Sequence, residues 1–357
     1  MQQTLSSNLN KGGKTVKLKK LSSLLLAGVL SIGALAGCAT PAKDQGTAQD
    51  QPKEQKAIVL RMADVHSEDY PTVRANKKFA EIVEQETNGR IKIEVYPSGQ
   101  LGDEKATLEQ VQFGAIDFIR TSIAPLAEFN KDLEVLMLPY LYDDRDHMFK
   151  VLDSELGDSF LNGLKDNNMV GLSWYDGGAR NFYNSKKEIR SPQDLKGLKI
   201  RVQESKLMMD LVKSLGASPT PMAFGEVYSA IQTGVIDGAE NNYPSYLSTS
   251  HLEVAKYYTL DEHTRVPEMV LASKATIDKL SAEDQAIIME AAKQAAEFER
   301  DEWFKEEQKS EAAAIEKGSI ITKLTAEEKK AFQDAVKSIY DQYADRKDII
   351  EQILNTK

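Results

Sequence analysis

The chain has 357 residues, with 45 basic and 55 acidic side chains, a formal net charge of −10 and one cysteine. A balance of that sign excludes nucleic acid and anionic membrane surface as electrostatically held partners. One cysteine excludes an internal disulfide, and the length exceeds what one hydrophobic core usually holds, so two domains are expected.

Lys11, Lys14, Lys17, Lys19 and Lys20 precede an apolar, small-residue run over 21–35. This charged-then-apolar order is that of a secretory signal, and the run falls short of the roughly 20 apolar residues a permanent span needs. Residues 1–37 are therefore expected to be removed. The run ends in Leu35-Ala36-Gly37-Cys38, which resembles the lipobox of bacterial lipoproteins, and the resemblance implies a diacylglycerol on Cys38 and a lipid anchor to the cell membrane. Residues 38–56 hold nothing apolar enough to pack and read as a disordered tether. Without the leader lysines the chain carries 40 basic against 55 acidic residues, a net of −15, so an anionic ligand would be captured by placed arginines rather than by a global field.

Beyond the tether, residues 58–63 and 91–95 read as strands, the second with Ile91, Ile93 and Val95 on one face. Between them 71–86 carries Val73, Phe79, Ile82 and Val83 near helical spacing, and Asn88-Gly89 ends it, giving a β-α-β unit. The alternation continues through a helix near 105–113, a strand near 115–121, an apolar segment over 133–141 containing Pro139, strands at 170–175 and 198–202, and a helix over 205–215. Such alternation predicts an α/β fold of mostly parallel sheets with helices on both faces. Residues 275–316 form a long, highly charged helical stretch with Leu280, Ile287, Ile288, Ala291 and Ala295 as its inner stripe, long enough to brace two lobes. The expected division is 57–180 mainly in a first lobe, 181–270 mainly in a second, and 271–357 as helices spanning both.

Catalytic patterns do not emerge. There is no G-x-S-x-G elbow, no H-E-x-x-H, no Walker loop and no dinucleotide fingerprint, and His66, His147, His251 and His263 lack ligand spacing for zinc. No enzyme activity, metal or cofactor is expected. What stands out are arginines and amides beside glycines and strand ends. Arg201 lies in the strand 198–202 just before a helix, where open α/β sheets place ligands, and its planar fork matches a carboxylate with two hydrogen bonds. A surface salt bridge is the plainer use of that residue. Arg180 follows Gly177-Gly178-Ala179, and the stretch 234–242 is a short strand flanked by glycines that ends in Asn241-Asn242.

Together these pieces resemble the solute-binding subunits of tripartite ATP-independent periplasmic (TRAP) transporters, in the dicarboxylate-receptor, or DctP, branch. The likeness rests on residues 191–202 (SPQDLKGLKIRV), 216–222 (GASPTPM), 224–228 (FGEVY), 232–234 (QTG) and, in the first lobe, 96–102 (YPSGQLG), and covers about 58–323. It implies a two-lobed periplasmic-binding-protein-like fold with an interlobe cleft, and integral membrane subunits as partners. Residue by residue it implies Arg201 as the carboxylate clamp, Asn241 as an amide on the same group, Arg180 as a second cationic contact, Phe224 as an apolar wall and Glu104 as a hydroxyl acceptor. Ser122 stands where some relatives place an acidic contact.

Residues 64–66 (DVH), 238–242 (GAENN) and 262–268 (EHTRVPE) resemble the branch that takes sugar acids, notably hexuronates such as glucuronate or galacturonate. His66, Glu104, Asn242 and His263 would then meet ring hydroxyls. A C4-dicarboxylate receptor, another sugar-acid receptor, a lipid-anchored sensory co-receptor and a lipid-anchored enzyme on uronates are the alternatives.

Overall fold

The computed structural model describes residues 56–356; the expected leader, Cys38 and nearly all of the tether lie outside them. The first β-α-β unit forms where the sequence predicts it. Strand β1 (Ile58–Ala63) runs parallel to β2 (Ile91–Tyr96). Between them helix α1 (Pro71–Glu86) starts on a proline, whose missing N–H costs nothing at a helix start. It buries Val73, Phe79, Ile82 and Val83 on the sheet and ends where Asn88 and Gly89 turn left-handed at φ 51° and 76°.

Two sheets build the molecule. The first has the order β2-β1-β3-β10-β4, with β3 at Phe118–Ser122, β4 at Met169–Tyr175 and β10 at Glu268–Ser273. The second has the order β11-β9-β5-β8-β6-β7, with β5 at Ala179–Asn184, β6 at Lys199–Val202, β7 at Ser218–Pro221, β8 at Gly238–Asn241, β9 at Tyr257–Arg265 and β11 at Ile320–Lys323. One core cluster holds Met62, Phe79, Ile91 and Phe118 of the first lobe and another Tyr183, Ile236, Tyr246 and Tyr258 of the second, while a third joins Ile119, Trp174 and Leu271 of the first sheet to Phe182, Ile200 and Val202 of the second.

The sheets are mixed, where mostly parallel ones are predicted. β10 lies antiparallel between β3 and β4, and β5 antiparallel between β8 and β9. The cause is the path of the chain. It leaves the first sheet after β4, crosses at Asp176, Gly177 and Gly178 to enter the second as β5, and returns at Val266 and Pro267 from β9 to β10. β5 and β10, the strands that follow these two crossings, each run against their neighbours, whereas β11, reached from β10 through the long helix, pairs parallel to β9.

Helices α2 (Glu104–Gln112), α3 (Lys206–Ser214) and α4 (Tyr243–Ser248) follow the strands that face the cleft. The brace, α5 (Ala282–Glu316), is 35 residues long and begins at a Ser281 cap that accepts from the Asp284 N–H; residues 274–277 form a separate short helix. α5 packs against α1 and β4 of the first lobe and against α4 of the second. Its inner face is Ile288, Ala291, Ala292, Ala295, Ala296, Glu299, Trp303, Ser310 and Ala314, while Ile287 and Leu280 of the expected stripe are half-exposed. Small residues let the helix lie close to its neighbours. One close approach is at the first crossing, where Gly178 has φ +63° and a Cβ there would sit 2.9 Å from Glu307 Oε1 and 3.1 Å from the Trp303 indole. Only glycine fits that turn under that helix.

Candidate functional site

Between the lobes, strand ends and the loops after them converge on one polar cavity lined by Val65, His66, Glu104, Arg120, Ser122, Arg180, Arg201, Gln203, Phe224, Asn241, Asn242, Ser245 and Glu268. As the lobes stand, about 20 Å3 is free among these side chains, room for about one water molecule. Ligand entry therefore requires the lobes to part, and the short crossings at 176–178 and 266–267 are where they can turn.

Three guanidiniums reach this cavity, all buried. Arg120, on β3, is ion-paired to Asp64, Glu104 and Glu268. Burial would lower its pKa, but the three carboxylates outweigh that and hold it up. Arg180, on β5, pairs with Glu240 through Nε and Nη2, and its Nη1 donates to Asn241 Oδ1 at 3.1 Å. Arg201, on β6, differs. Its Nε and Nη2 both donate to the Met222 carbonyl, at 3.0 and 2.8 Å, and among the described residues it forms no ion pair. Burial lowers its pKa, yet an arginine stays charged. The cavity thus holds one buried cation that no carboxylate neutralises, its plane fixed by a backbone oxygen.

The amides divide their work. Asn241 Oδ1 accepts from Arg180 and from the Asn242 N–H at 2.9 Å, so what it has left to offer is its amide N–H. Asn242 lines the cavity but is committed: its Nδ2 donates to the Gly177 carbonyl at 2.8 Å and its Oδ1 caps α4 by accepting from Ser245 N at 2.8 Å. It ties the first crossing to a helix start, which makes it a hinge residue more than a ligand contact. Glu104, first residue of α2, accepts from the Ser122 N–H at 3.0 Å and from Arg120 at 3.3 Å. The Ser122 hydroxyl caps the short helix 123–126.

His66 stacks on Tyr70 at 3.9 Å and meets the Phe224 ring edge-on at 4.9 Å. Burial, then Arg120 and Arg180, hold its pKa well below the usual range, so it is neutral. His263 is not brought to the cavity. It is fully buried behind the wall, stacked on Phe182 at 4.4 Å, with Nδ1 2.8 Å from Asp261 and Nε2 3.5 Å from Glu240. Burial alone would lower its pKa, but Asp261 and Glu240 prevail and push it up to about 9. A histidine expected at a ring hydroxyl is instead the cationic prop of the carboxylate that holds Arg180. Glu240, raised by burial but lowered more by Arg180 and His263, ends at about 2.

Eight of the nine expected contacts thus meet in one cavity: Arg201, Arg180, Asn241, Phe224, Glu104, His66, Asn242 and Ser122. Sequence reasoning missed Arg120 and Glu268. The available signal was an arginine in the apolar run Phe118-Ile119-Arg120, where a buried charge requires partners. Glu268 stands opposite Ser122 in the β3–β10 pair and reaches Arg120 diagonally as an ion pair; burial first, against the pull of Arg120, raises its pKa. Among the described residues no group of three or more His, Cys, Asp or Glu side chains could hold a metal ion, and no helix is long and apolar enough to cross a membrane.

Two lobes joined by crossings at 176–178, at 266–267 and along α5, with an arginine in the crevice free of ion pairs among the described residues, are the architecture of a two-lobed solute-binding protein. Comparison with known proteins gives the family. Residues 62–347 match the profile of DctP, bacterial extracellular solute-binding protein, family 7. A solute-binding protein of Chromohalobacter salexigens is 38% identical over 290 residues, 81% of this chain and 86% of that one. A TRAP periplasmic solute-binding protein from Bradyrhizobium, solved in complex with α/β-D-galacturonate, superposes with a TM-score of 0.81 at 41% identity, covering 84% of this chain and all of that one. One from Roseobacter denitrificans, solved with bound β-D-glucuronate, gives 0.81 at 37% identity over the same shares, 84% and 100%. The chain belongs to the DctP family, the extracytoplasmic solute receptors of TRAP transporters.

Proposed function

We propose that the protein captures a hexuronate, D-glucuronate or D-galacturonate, in the interlobe cleft and delivers it to the membrane subunits of its transporter. The observation that carries this reading is Arg201: buried, held in plane by the Met222 carbonyl and lacking any ion pair among the described residues. A buried cation without a partner is costly, and a ligand carboxylate bonding the edge of the fork that the Met222 carbonyl leaves open relieves that cost. Asn241 offers its amide to the same group. Phe224 supplies an apolar wall, and Glu104, Glu268 and the neutral His66 face the polyhydroxylated remainder of the ring. Closure is favoured because only the closed form makes both sets of contacts. The two hexuronate-bound relatives support the substrate class.

A C4-dicarboxylate would need a second free cation at the far end of the cavity. Arg180 and Arg120 are the candidates, and both are neutralised by buried carboxylates. The reading includes no bond-breaking step: the protein binds and releases. Cys38 carries the lipid that keeps the receptor at the membrane, with residues 38–56 as tether.

A thermal-shift series on the mature domain tests this reading. A ligand that binds only the folded state adds about 2.7 kcal/mol at a hundredfold excess over Kd, a rise in Tm on the order of 5 °C. D-glucuronate and D-galacturonate are expected to give that rise; succinate and malate are not. Stabilisation by the dicarboxylates and not by the uronates would contradict it.

A further inference from the structure

A second space opens on the far side of Val65, His66 and Phe224, residues it shares with the inner cavity. Its free volume is about 230 Å3, against about 20 Å3 around Arg201. Both lobes build it: Ser67 and Ser98 from the loops after β1 and β2, Tyr228, Ser248, Thr249 and His251 from the second lobe.

Its chemistry is unlike that of the inner cavity. Around Arg201 the lining is dominated by Arg120, Arg180, Glu104 and Glu268; the outer pouch has no formal charge. His66 is neutral for the reasons given above, and burial, then Arg201, lower His251 to about 3, so it is neutral too. The remaining polar lining is hydroxyl. Phe224 and His66 put aromatic rings at the shared wall, against which the apolar face of a pyranose packs. One buried polar atom at this wall has no partner, His66 Nδ1, on a side chain 9% exposed. Two non-glycine residues that hold the pouch's loops, Ser98 and Ser250, sit at φ +57°, a strain that gathers where a fold positions ligands. A carboxylate would find no counter-charge in this pouch, whereas a neutral sugar would find donors and acceptors on both lobes.

We propose that the pouch is a second subsite for a neutral glycosyl unit, so that the receptor takes disaccharides in which a uronic acid, held at Arg201, is glycosidically joined to a neutral sugar. This rests on the hexuronate reading of the inner cavity. Between the two spaces stands an edge contact between His66 and Phe224. His66 is fixed by its stack on Tyr70, while Phe224 is half-exposed at the start of a one-turn helix, Phe224–Glu226. Rotation of the Phe224 ring joins the spaces and frees His66 Nδ1 to meet the glycosidic region.

Gly225 allows a clean test. Gly225 is in the lining, a Cβ placed on it meets nothing within 4 Å, and its φ lies outside the left-handed region, so a larger side chain there is accommodated, and Gly225→Trp is chosen to narrow the pouch at a residue that does not line the cavity around Arg201. Isothermal titration of the mature domain would use D-glucuronate, cellobiouronic acid (glucuronate linked to O4 of glucose) and the isomer with glucose on O4 of glucuronate. At least one disaccharide is expected to bind about tenfold or more tighter than D-glucuronate. Gly225→Trp is expected to remove that gain while leaving D-glucuronate within about twofold. The inference is overturned if neither disaccharide binds tighter than D-glucuronate, or if the gain survives Gly225→Trp. Failure of D-glucuronate itself to bind would instead overturn the reading of the inner cavity, and this inference with it.

Discussion

Arg201→Ala is expected to abolish hexuronate binding while leaving the ligand-free domain folded. Two of its N–H groups already hold the Met222 carbonyl, so the plane of the fork is set before a ligand arrives, and no protein carboxylate competes for it among the described residues. Removing one partner of a buried, hydrogen-bonded charge pair costs about 2–5 kcal/mol, roughly thirtyfold to several-thousandfold in Kd. Arg201→Lys is expected to bind, but more weakly, because an ammonium cannot reproduce the planar fork that meets a carboxylate with two parallel hydrogen bonds. Titration calorimetry measures both, and ligand-free melting separates lost binding from lost fold. Wild-type affinity in the alanine variant would mean that the acid group sits elsewhere.

The second large effect is on stability against pH. His263 is held at about 9 in the fold against an ordinary 6.5, through Asp261 and Glu240. A folded value above the unfolded one gives stability that is complete below about 6.5 and lost as pH rises through about 9, by up to about 3 kcal/mol. Glu240, at about 2 against 4.5, acts in the opposite sense: its contribution is present above about 4.5 and lost as pH falls through about 2. Glu268 and Glu307 have raised values and so favour the folded state less as pH rises, adding to the alkaline slope from a different cause. The comparison that isolates His263 is therefore wild type against His263→Gln. Urea unfolding from pH 6 to pH 9.5 should show a steeper loss in the wild type. Equal slopes would mean that His263 is not the cationic prop of Glu240.

How far the site could be read from the sequence depended on which pattern each element left. β1 and α1 were legible to the residue because alternation and helical spacing stood between a proline and an Asn-Gly stop. β5 and β10 were not recognised, since all six residues of each are buried and a strand covered on both faces has no alternation to find. Their absence from the reading is also why mostly parallel sheets were predicted: β5 and β10 are the antiparallel insertions created by the crossings. Arg201 was legible because it ends a clear strand before a clear helix. His263 was misassigned because spacing cannot say which face of a strand looks into the cleft, and the β5–β9 pairing shifts register between Arg180 and Phe182. That irregularity leaves Thr264 opposite Arg180, with His263 stacked on Phe182 behind the cavity wall. Arg120 and Glu268 went unseen because their partnership joins strands 148 residues apart.

The measurement closest to the heart of this account is a crystal structure of the mature domain grown with D-glucuronate. Both carboxylate oxygens are expected within hydrogen-bond distance of Arg201, beside Asn241, with the lobes shut over the ring. A ligand whose acid group lies on Arg120 or Arg180, or an Arg201 turned to solvent, would contradict it.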